Sequence, residues 1–202
     1  MSLFGRLGKG PPFDWLVVGL GNPGEKYRRT RHNVGEEAVQ LLAERRGVTL
    51  KGGRDNALIA ETRLGDERVV LAFPITYMND SGQAVGSMVR RYRIETPEQL
   101  IVIHDELDLQ PGDLRVKAGG GLAGHNGLRS IEQHLKTRDF LRIRIGVGKP
   151  PSKEHGTGHV LSRIPRRERA LLDERVADAA DAAEMIIEQG VDAAMQRYNS
   201  KR

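Results

Sequence analysis

Residues Val17 to Gly35 read VVGLGNPGEKYRRTRHNVG, and the changes of character along this stretch decide the fold. Trp15 to Leu20 is an apolar run of strand length, and Gly21-Asn22-Pro23-Gly24 is a dense turn signal that ends it. Because Asn22 precedes a proline, its backbone is pushed out of the helical region, and the chain leaves the strand extended with the amide side chain outward. Glu25 to Arg31 is polar and carries four basic residues with Tyr27 among them. After His32-Asn33, apolar positions at Val34, Ala38, Leu41 and Leu42 fit one face of a helix running to Arg46, where Gly47 stops it. His32 is therefore expected at a helix N-terminus, where the backbone dipole disfavours a protonated ring and keeps the imidazole available as a base.

Working outward, Leu58 to Leu64 and Arg68 to Phe73 flank Gly65-Asp66-Glu67 as a hairpin, the second strand the more buried. That strand empties into Pro74-Ile75-Thr76-Tyr77-Met78-Asn79, so Asn79 is a second amide just past a strand. Asp80 and Gln83 have capping-box spacing ahead of a helix carrying Val85, Met88, Val89 and Tyr92. Leu100-Ile101-Val102-Ile103 is a third apolar strand and runs into His104-Asp105-Glu106-Leu107-Asp108. A short strand over Leu114 to Ala118, a glycine-rich turn, and a helix with Leu128, Ile131 and Leu135 follow. Phe140 to Val147 alternates apolar residues with Arg142 and Arg144, predicting one buried and one basic face. A long amphipathic helix from Arg166 to Gly190 and a short one over Val191 to Tyr198 close the chain.

Strands alternating with helices predict an α/β fold, and the hairpin makes the sheet mixed: a single domain with a twisted mixed sheet flanked by helices. In such sheets ligands collect beyond the carboxyl ends of the strands. Three apolar strands end in Asn22, in Asn79 and in His104-Asp105, so these polar groups are expected to converge on one edge. The length, 202 residues with 38% hydrophobic content, suits one domain with a sizeable core. Residues 1–14 are expected to be a flexible N-terminal extension ahead of a domain spanning 15–202. The absence of cysteine excludes disulfides and thiolate metal sites and fits a cytoplasmic protein. No apolar run approaches the roughly 18 residues that cross a bilayer, and MSLFGRLGKGPPFD is too short and glycine-broken for a signal sequence. Lys and Arg outnumber Asp and Glu by 32 to 27, compatible with a polyanionic partner without requiring one.

Each chemical motif has a competing interpretation. GLGNPG formally fits the dinucleotide fingerprint, but that fingerprint starts its helix within the glycines, whereas here the helical pattern waits until Val34. His32 taken alone suits a cap or surface residue. Paired with Asp105 it suits a base, because a carboxylate fixes the tautomer and stabilises the ring as it takes a proton. His104, Asp105, Glu106 and Asp108 invite a metal, yet on an extended segment His104 and Glu106 point opposite to Asp105, as in a strand end part buried and part solvated. His155 and His159 have helical ligand spacing, but Gly156 and Gly158 argue for a loop, and no metal is expected. GGG and GHNG permit close approach of backbone to a ligand or merely tight packing, and Asn126 adds an uncharged donor and acceptor. Lys117, Arg142 and Arg144 ordinarily form a solvated sheet face. As a set they could hold a phosphate, with Arg28, Arg29 and Arg31 extending the field.

Four motifs in order, GLGNPGEKYRRTRHNVG, PITYMNDSGQAV, VIHDELDL and GGGLAGHNGLRS, strongly resemble those of bacterial peptidyl-tRNA hydrolases, over nearly the whole chain from Trp15. The resemblance implies a monomeric esterase, without metal or cofactor, that frees tRNA from a stalled peptide in the cytoplasm. It assigns His32 as base and Asp105 as its orienting carboxylate, with Asn22, Asn79 and Asn126 lining the site and holding substrate or water. Tyr27 and Met78 match positions beside the bound peptide and terminal nucleotide, and Lys117 and Arg144 match a pair that clamps a tRNA phosphate. The implied partners are therefore the acceptor end and phosphate backbone of peptidyl-tRNA, with no membrane. Leu122-Ala123 departs from the histidine and glycine, or similar residues, common at these positions. An RNA-binding factor without catalysis and a nucleotide-dependent oxidoreductase remain the competing classes.

Overall fold

The chain runs β1 (Trp15–Gly19), α1 (Val34–Arg45), β2 (Lys51–Gly52), β3 (Ala57–Leu64), β4 (Glu67–Pro74), α2 (Ser81–Arg91), β5 (Leu100–Glu106), β6 (Leu114–Ala118), α3 (Asn126–Leu135), β7 (Leu141–Gly146), α4 (Gly156–Leu161), α5 (Arg166–Gln189) and α6 (Val191–Asn199). These elements come from a computed structural model that describes residues 11–150, 152 and 156–200. The strands form one mixed sheet in the order β2-β3-β4-β1-β5-β7-β6. β4, β1, β5 and β7 are mutually parallel, while β2, β3 and β6 attach antiparallel at the edges. This is the expected fold class.

β1 and β5 read as continuous apolar runs because both faces of the sheet are covered. Leu16, Val18, Leu100 and Val102 meet Val85, Met88, Leu128 and Ile131 of α2 and α3. Val17, Ile101, Ile103 and Ile143 meet Val34, Ala38, Leu42, Leu172 and Ile186 of α1 and α5. The free edge of β6 is closed by α6: the Asn199 side chain accepts the Val116 N–H at 2.9 Å and donates to the Val116 carbonyl at 2.8 Å. One amide thus does the work of a neighbouring strand at an edge that would otherwise invite pairing.

Successive connections move from β1 toward β4 on one side and from β5 toward β7 on the other. The carboxyl ends of β1 and β5 therefore frame a topological switch point, the crevice where open α/β sheets bind ligands. Two glycines let α1 lie directly over it. A Cβ on Gly19 would meet the Gly35 carbonyl oxygen at 2.2 Å, and one on Gly35 would meet the Ile103 carbonyl oxygen at 2.2 Å.

Three expectations change. Asp80 does not close a capping box: it ends a 3-10 turn (Met78–Asp80) with φ −112° and ψ 6°, so its side chain makes no capping bond. The first turn is secured instead by Ser81, whose Oγ donates to the Met78 carbonyl at 2.8 Å. Residues 11–14 are not a flexible extension. Phe13 is buried edge-on against Tyr92 and under the Arg68 guanidinium, and Asp14 takes the Arg68 N–H at 2.7 Å. Residues 1–10 of that extension lie outside the described residues. Finally, Gly156–Leu161 is helical, because His159 anchors it by donating to the Gly148 carbonyl at 3.1 Å, while His155 lies outside the described residues.

Gly35→Ala tests the close approach of α1. With backbone oxygen in the way, relief requires moving α1 off β5, and overpacking of this kind costs about 1–3 kcal/mol. A lowered urea midpoint together with reduced turnover is expected; a variant of wild-type stability would show that α1 does not sit where Gly19 and Gly35 place it.

Candidate active site

The crossing of α1 over β5 delivers a 3-10 turn, Arg31–Asn33, to the end of β5. There His32 Nδ1 lies 2.8 Å from Asp105 Oδ1. The same oxygen is 2.9 Å from Nε2 of His125, which comes from the opposite side at the N-terminus of α3. An ionised carboxylate only accepts, so both ring nitrogens donate to it. His125 confirms its tautomer by accepting the Leu128 N–H at Nδ1, at 3.4 Å. The tautomer of His32 follows, with a lone pair on Nε2.

Burial pulls the protonation of these groups one way and pairing the other. Burial favours neutral Asp105, but the two histidines outweigh it and hold the carboxyl far below its usual range. Burial lowers the basicity of His32, but the adjacent Asp105 charge and hydrogen bond together raise it above the ordinary 6.5. The helix N-terminus was expected to keep this imidazole neutral; contact with an ionised carboxylate is the stronger influence.

Asn22 is fixed by its neighbours. Its Oδ1 accepts the Met78 N–H at 2.8 Å, and its backbone exchanges hydrogen bonds with the Asn33 side chain at 3.0 and 2.9 Å. Spending Oδ1 on Met78 leaves the Nδ2 donor end for the cleft. That cleft, about 400 Å³, is lined by Asn22, Tyr27, His32, Met78, Asn79, Asp105 and Asn126. All seven residues singled out for the reaction centre thus border one space. Met78 is a buried floor residue, whereas Asn79 and Asn126 are exposed at the rim.

Lys117 and Arg144 do not line this cleft. They lie on paired strands β6 and β7, where Lys117 sits opposite Arg142 and Arg144 opposite Arg115. Arg144 Nε donates to Glu106 Oε2 at 3.0 Å, and Glu106 is itself part of the cleft wall. Arg142 corrects the expectation of a solvated basic face. It is 1% exposed, and its guanidinium donates to the carbonyls of Gly119, Gly120 and Gly121, at 3.0 Å for Gly120 and 2.7 Å for Gly121. The loop bends through positive φ at Gly119, Gly120 and Ala123, and these bonds hold its carbonyls. Leu122 adds an apolar foot on the α2–α3 core, and Ala123 lines the cleft.

Arg31 likewise leaves the phosphate field. It is buried, bonded to Ser162 Oγ at 2.7 Å and Glu168 at 2.8 Å, tying the turn that carries His32 to the segment after α4. Val160 and Leu161 of α4 form part of the cleft wall. The strand end expected to be part solvated is buried through Glu106, with only Asp108 exposed. His125 is the principal group that sequence analysis missed. It stood in the quoted GHNG motif, but nothing in chain spacing places it 2.9 Å from an acid twenty residues away.

Among the described residues, His32, Asp105 and His125 are the group that gathers potential metal ligands. Their geometry is that of hydrogen bonding: donor nitrogens at 2.8 and 2.9 Å point at the carboxylate oxygen. Tetrahedral ligand atoms about 2.1 Å from an ion sit about 3.4 Å apart.

The chain matches the family model described as peptidyl-tRNA hydrolase over residues 16–202. It is 48% identical over 185 residues to the peptidyl-tRNA hydrolase of Chloroflexus aggregans, spanning 92% of this chain and 98% of that relative. It is 49% identical over 197 residues to that of Cutibacterium acnes, with the same coverage of each. The crystal structure of peptidyl-tRNA hydrolase from Acinetobacter baumannii is similar with a TM-score of 0.89 and 41% identity, over 96% of this chain and 99% of that one.

Glu36, in the first turn of α1, supplies a pH test of this region. Burial, then the neighbouring Glu37 charge, push its carboxyl up from 4.5 to about 7. A carboxyl raised on folding contributes stability that is fully present below its unfolded value and lost as pH rises through the folded one. Relative to wild type, Glu36→Gln is therefore expected to gain urea stability between about pH 5 and about pH 8. An identical difference at both pH values would mean that Glu36 is not held protonated.

Proposed function

This chain belongs to the peptidyl-tRNA hydrolase family, and we propose that it cleaves the ester between a peptide and the ribose at the tRNA 3′ end with His32 as base. The observation that carries the assignment is the His32–Asp105 hydrogen bond at the floor of a cleft bordered by three asparagines. Water in the cleft gives a proton to His32 Nε2 as its oxygen attacks the ester carbonyl. Asp105 stabilises the imidazolium, and such base catalysis contributes roughly 10²- to 10⁴-fold. The proton then passes to the ribose oxygen as the ester bond breaks, leaving free tRNA and a peptide carboxylic acid, which gives its own proton to solvent.

Asn22 is the donor best prepared for the developing oxyanion. Its amide is already oriented by Met78, so little reorganisation is needed when charge appears, whereas Asn79 is exposed at the rim. Asn79 and Asn126 bind substrate there. Asn126 can exchange hydrogen bonds with the first peptide group, a contact that an aminoacyl ester lacks, which favours peptidyl over aminoacyl esters. Tyr27 and Met78 border the space for the peptide and terminal nucleotide. Lys117 and the terminal nitrogens of Arg144 meet phosphate outside the cleft, on the side where Glu106 joins Arg144 to its wall. The domain that does this includes residues 11–14 together with those from 15 onward, and it acts as a monomer in the cytoplasm, where its substrate arises. Among the described residues no helix is long and apolar enough to cross a membrane.

With N-acylated aminoacyl-tRNA as substrate, His32→Ala is expected to abolish release of the acyl amino acid while tRNA binding persists, with chelator leaving wild-type turnover unchanged. In the wild type, the acid limb of kcat/KM is expected above the ordinary imidazole value of 6.5, because Asp105 raises His32 and only the neutral ring accepts a proton. Near-normal turnover by the alanine variant would refute the base. Lys117→Ala should weaken substrate binding and flatten its salt dependence by up to about 0.9 log unit per log unit of salt, and an unchanged slope would refute the clamp.

A further inference from the structure

β5 loses its β1 neighbour where the chemistry begins. The Ile103 carbonyl accepts the Leu20 N–H at 3.0 Å, the last rung before β1 turns away at Gly21. Carbonyls two residues apart in a strand face the same side, so the Asp105 carbonyl faces the gap left by β1. The Glu106 carbonyl, on the other side, still accepts the Val147 N–H at 3.1 Å. An unpaired buried carbonyl next to a buried carboxylate would leave Asp105 poorly held.

The gap is filled by a side chain. His104 Nδ1 lies 2.7 Å from the Asp105 carbonyl oxygen, and since a carbonyl only accepts, Nδ1 carries the proton. The ring also packs edge-on against His125, with centroids 4.9 Å apart and planes at 71°. His104 therefore touches Asp105 through the main chain and touches the second histidine that grips the Asp105 carboxylate. It is fully buried, and among the described residues its Nε2 has no hydrogen-bond partner. A buried acceptor without a partner is a cost that an apolar side chain of similar size would avoid, so the imidazole has to be accounted for by its other nitrogen.

We propose that His104 is a positioning residue for the hydrolysis: its Nδ1–H stands in for the missing strand neighbour of Asp105 and holds that carboxylate against His32. This rests on the His32–Asp105 reading above. His104 does not compete for the substrate proton. Burial foremost, then the facing His125 and Arg142, keep it neutral against the opposing pull of Asp105, with basicity well below 6.5.

The test compares three variants of the full chain. His104→Asn keeps a donor near the Nδ1 position, His104→Gln moves it toward Nε2, and His104→Leu removes it. Nuclear magnetic resonance titration of the His32 ring reads its contact with Asp105 without requiring turnover, and kcat and KM on N-acylated aminoacyl-tRNA read the consequence. Expected is a His32 midpoint that stays raised in H104N and falls toward the ordinary imidazole value in H104Q and H104L. The same two variants should lose about tenfold or more in kcat with little change in KM, since small misplacements of a catalytic group have effects of that order. A wild-type midpoint in folded H104Q or H104L, or equal displacement in H104N and H104Q, would overturn the proposal. So would an H104N that fails to fold, because the donor alone would then not be what the site needs. Should His32→Ala retain turnover, the base assignment fails, while the titration still decides whether His104 holds Asp105.

Discussion

One carboxylate oxygen, Asp105 Oδ1, accepts hydrogen bonds from two histidines that arrive from opposite faces of the sheet. Buried alone, the acid would neutralise or be too costly to keep. Gripped by His32 and His125 it stays ionised, and its charge makes His32 the stronger base. Everything near it serves that placement: the glycine contact that brings α1 over β5, the turn before α3 that supplies His125, and the departure of β1 that opens the crevice.

Basic residues in this chain divide by burial, and the division separates architecture from recognition. Arg142 holds the glycine-rich loop by its carbonyls, and Arg31 fastens the catalytic turn to Ser162 and Glu168. Arg169 joins α5 to α1 through Glu37. A guanidinium committed to such partners in a dry setting is not available to a phosphate, however basic its stretch looks in sequence. The modest excess of positive charge is therefore a poor guide to the RNA-facing surface. Of the arginine run at residues 28–31 Arg31 alone is buried, Arg28 and Arg29 being exposed; Lys117, half-buried beside Gly120, and Arg144, joined to the cleft by Glu106, are the pair proposed to meet phosphate.

Much of the fold and most of the site were legible because they follow from short-range rules. Apolar runs ending in Asn22 and Asp105 mark strands and their carboxyl ends, and the hairpin over β3 and β4 announces a mixed sheet. The delayed start of the helix at Val34 already argued against a dinucleotide site. Where the sequence misled, a local signal was outvoted by its surroundings. Asp80 had capping-box spacing but not the extended backbone a cap requires. Phe13 sat among glycines and prolines yet had Tyr92 and Arg68 to pack against. The two glycines at 156 and 158 did not prevent a helical turn secured by His159.

By itself, then, the sequence determined which segments are strands and helices, which amides and acids sit at strand tips, and through its four motifs which family the chain resembles. Periodicity and turn chemistry act within a few residues, so they can be read along the chain. Tertiary structure alone decided that His125 shares an oxygen with His32, that Arg142 and Arg31 are interior struts, and that His104 occupies the place of an absent strand. Those contacts join residues from separate elements, or depend on where a neighbouring strand stops. They are set by how the sheet and helices pack in three dimensions, which no local pattern specifies.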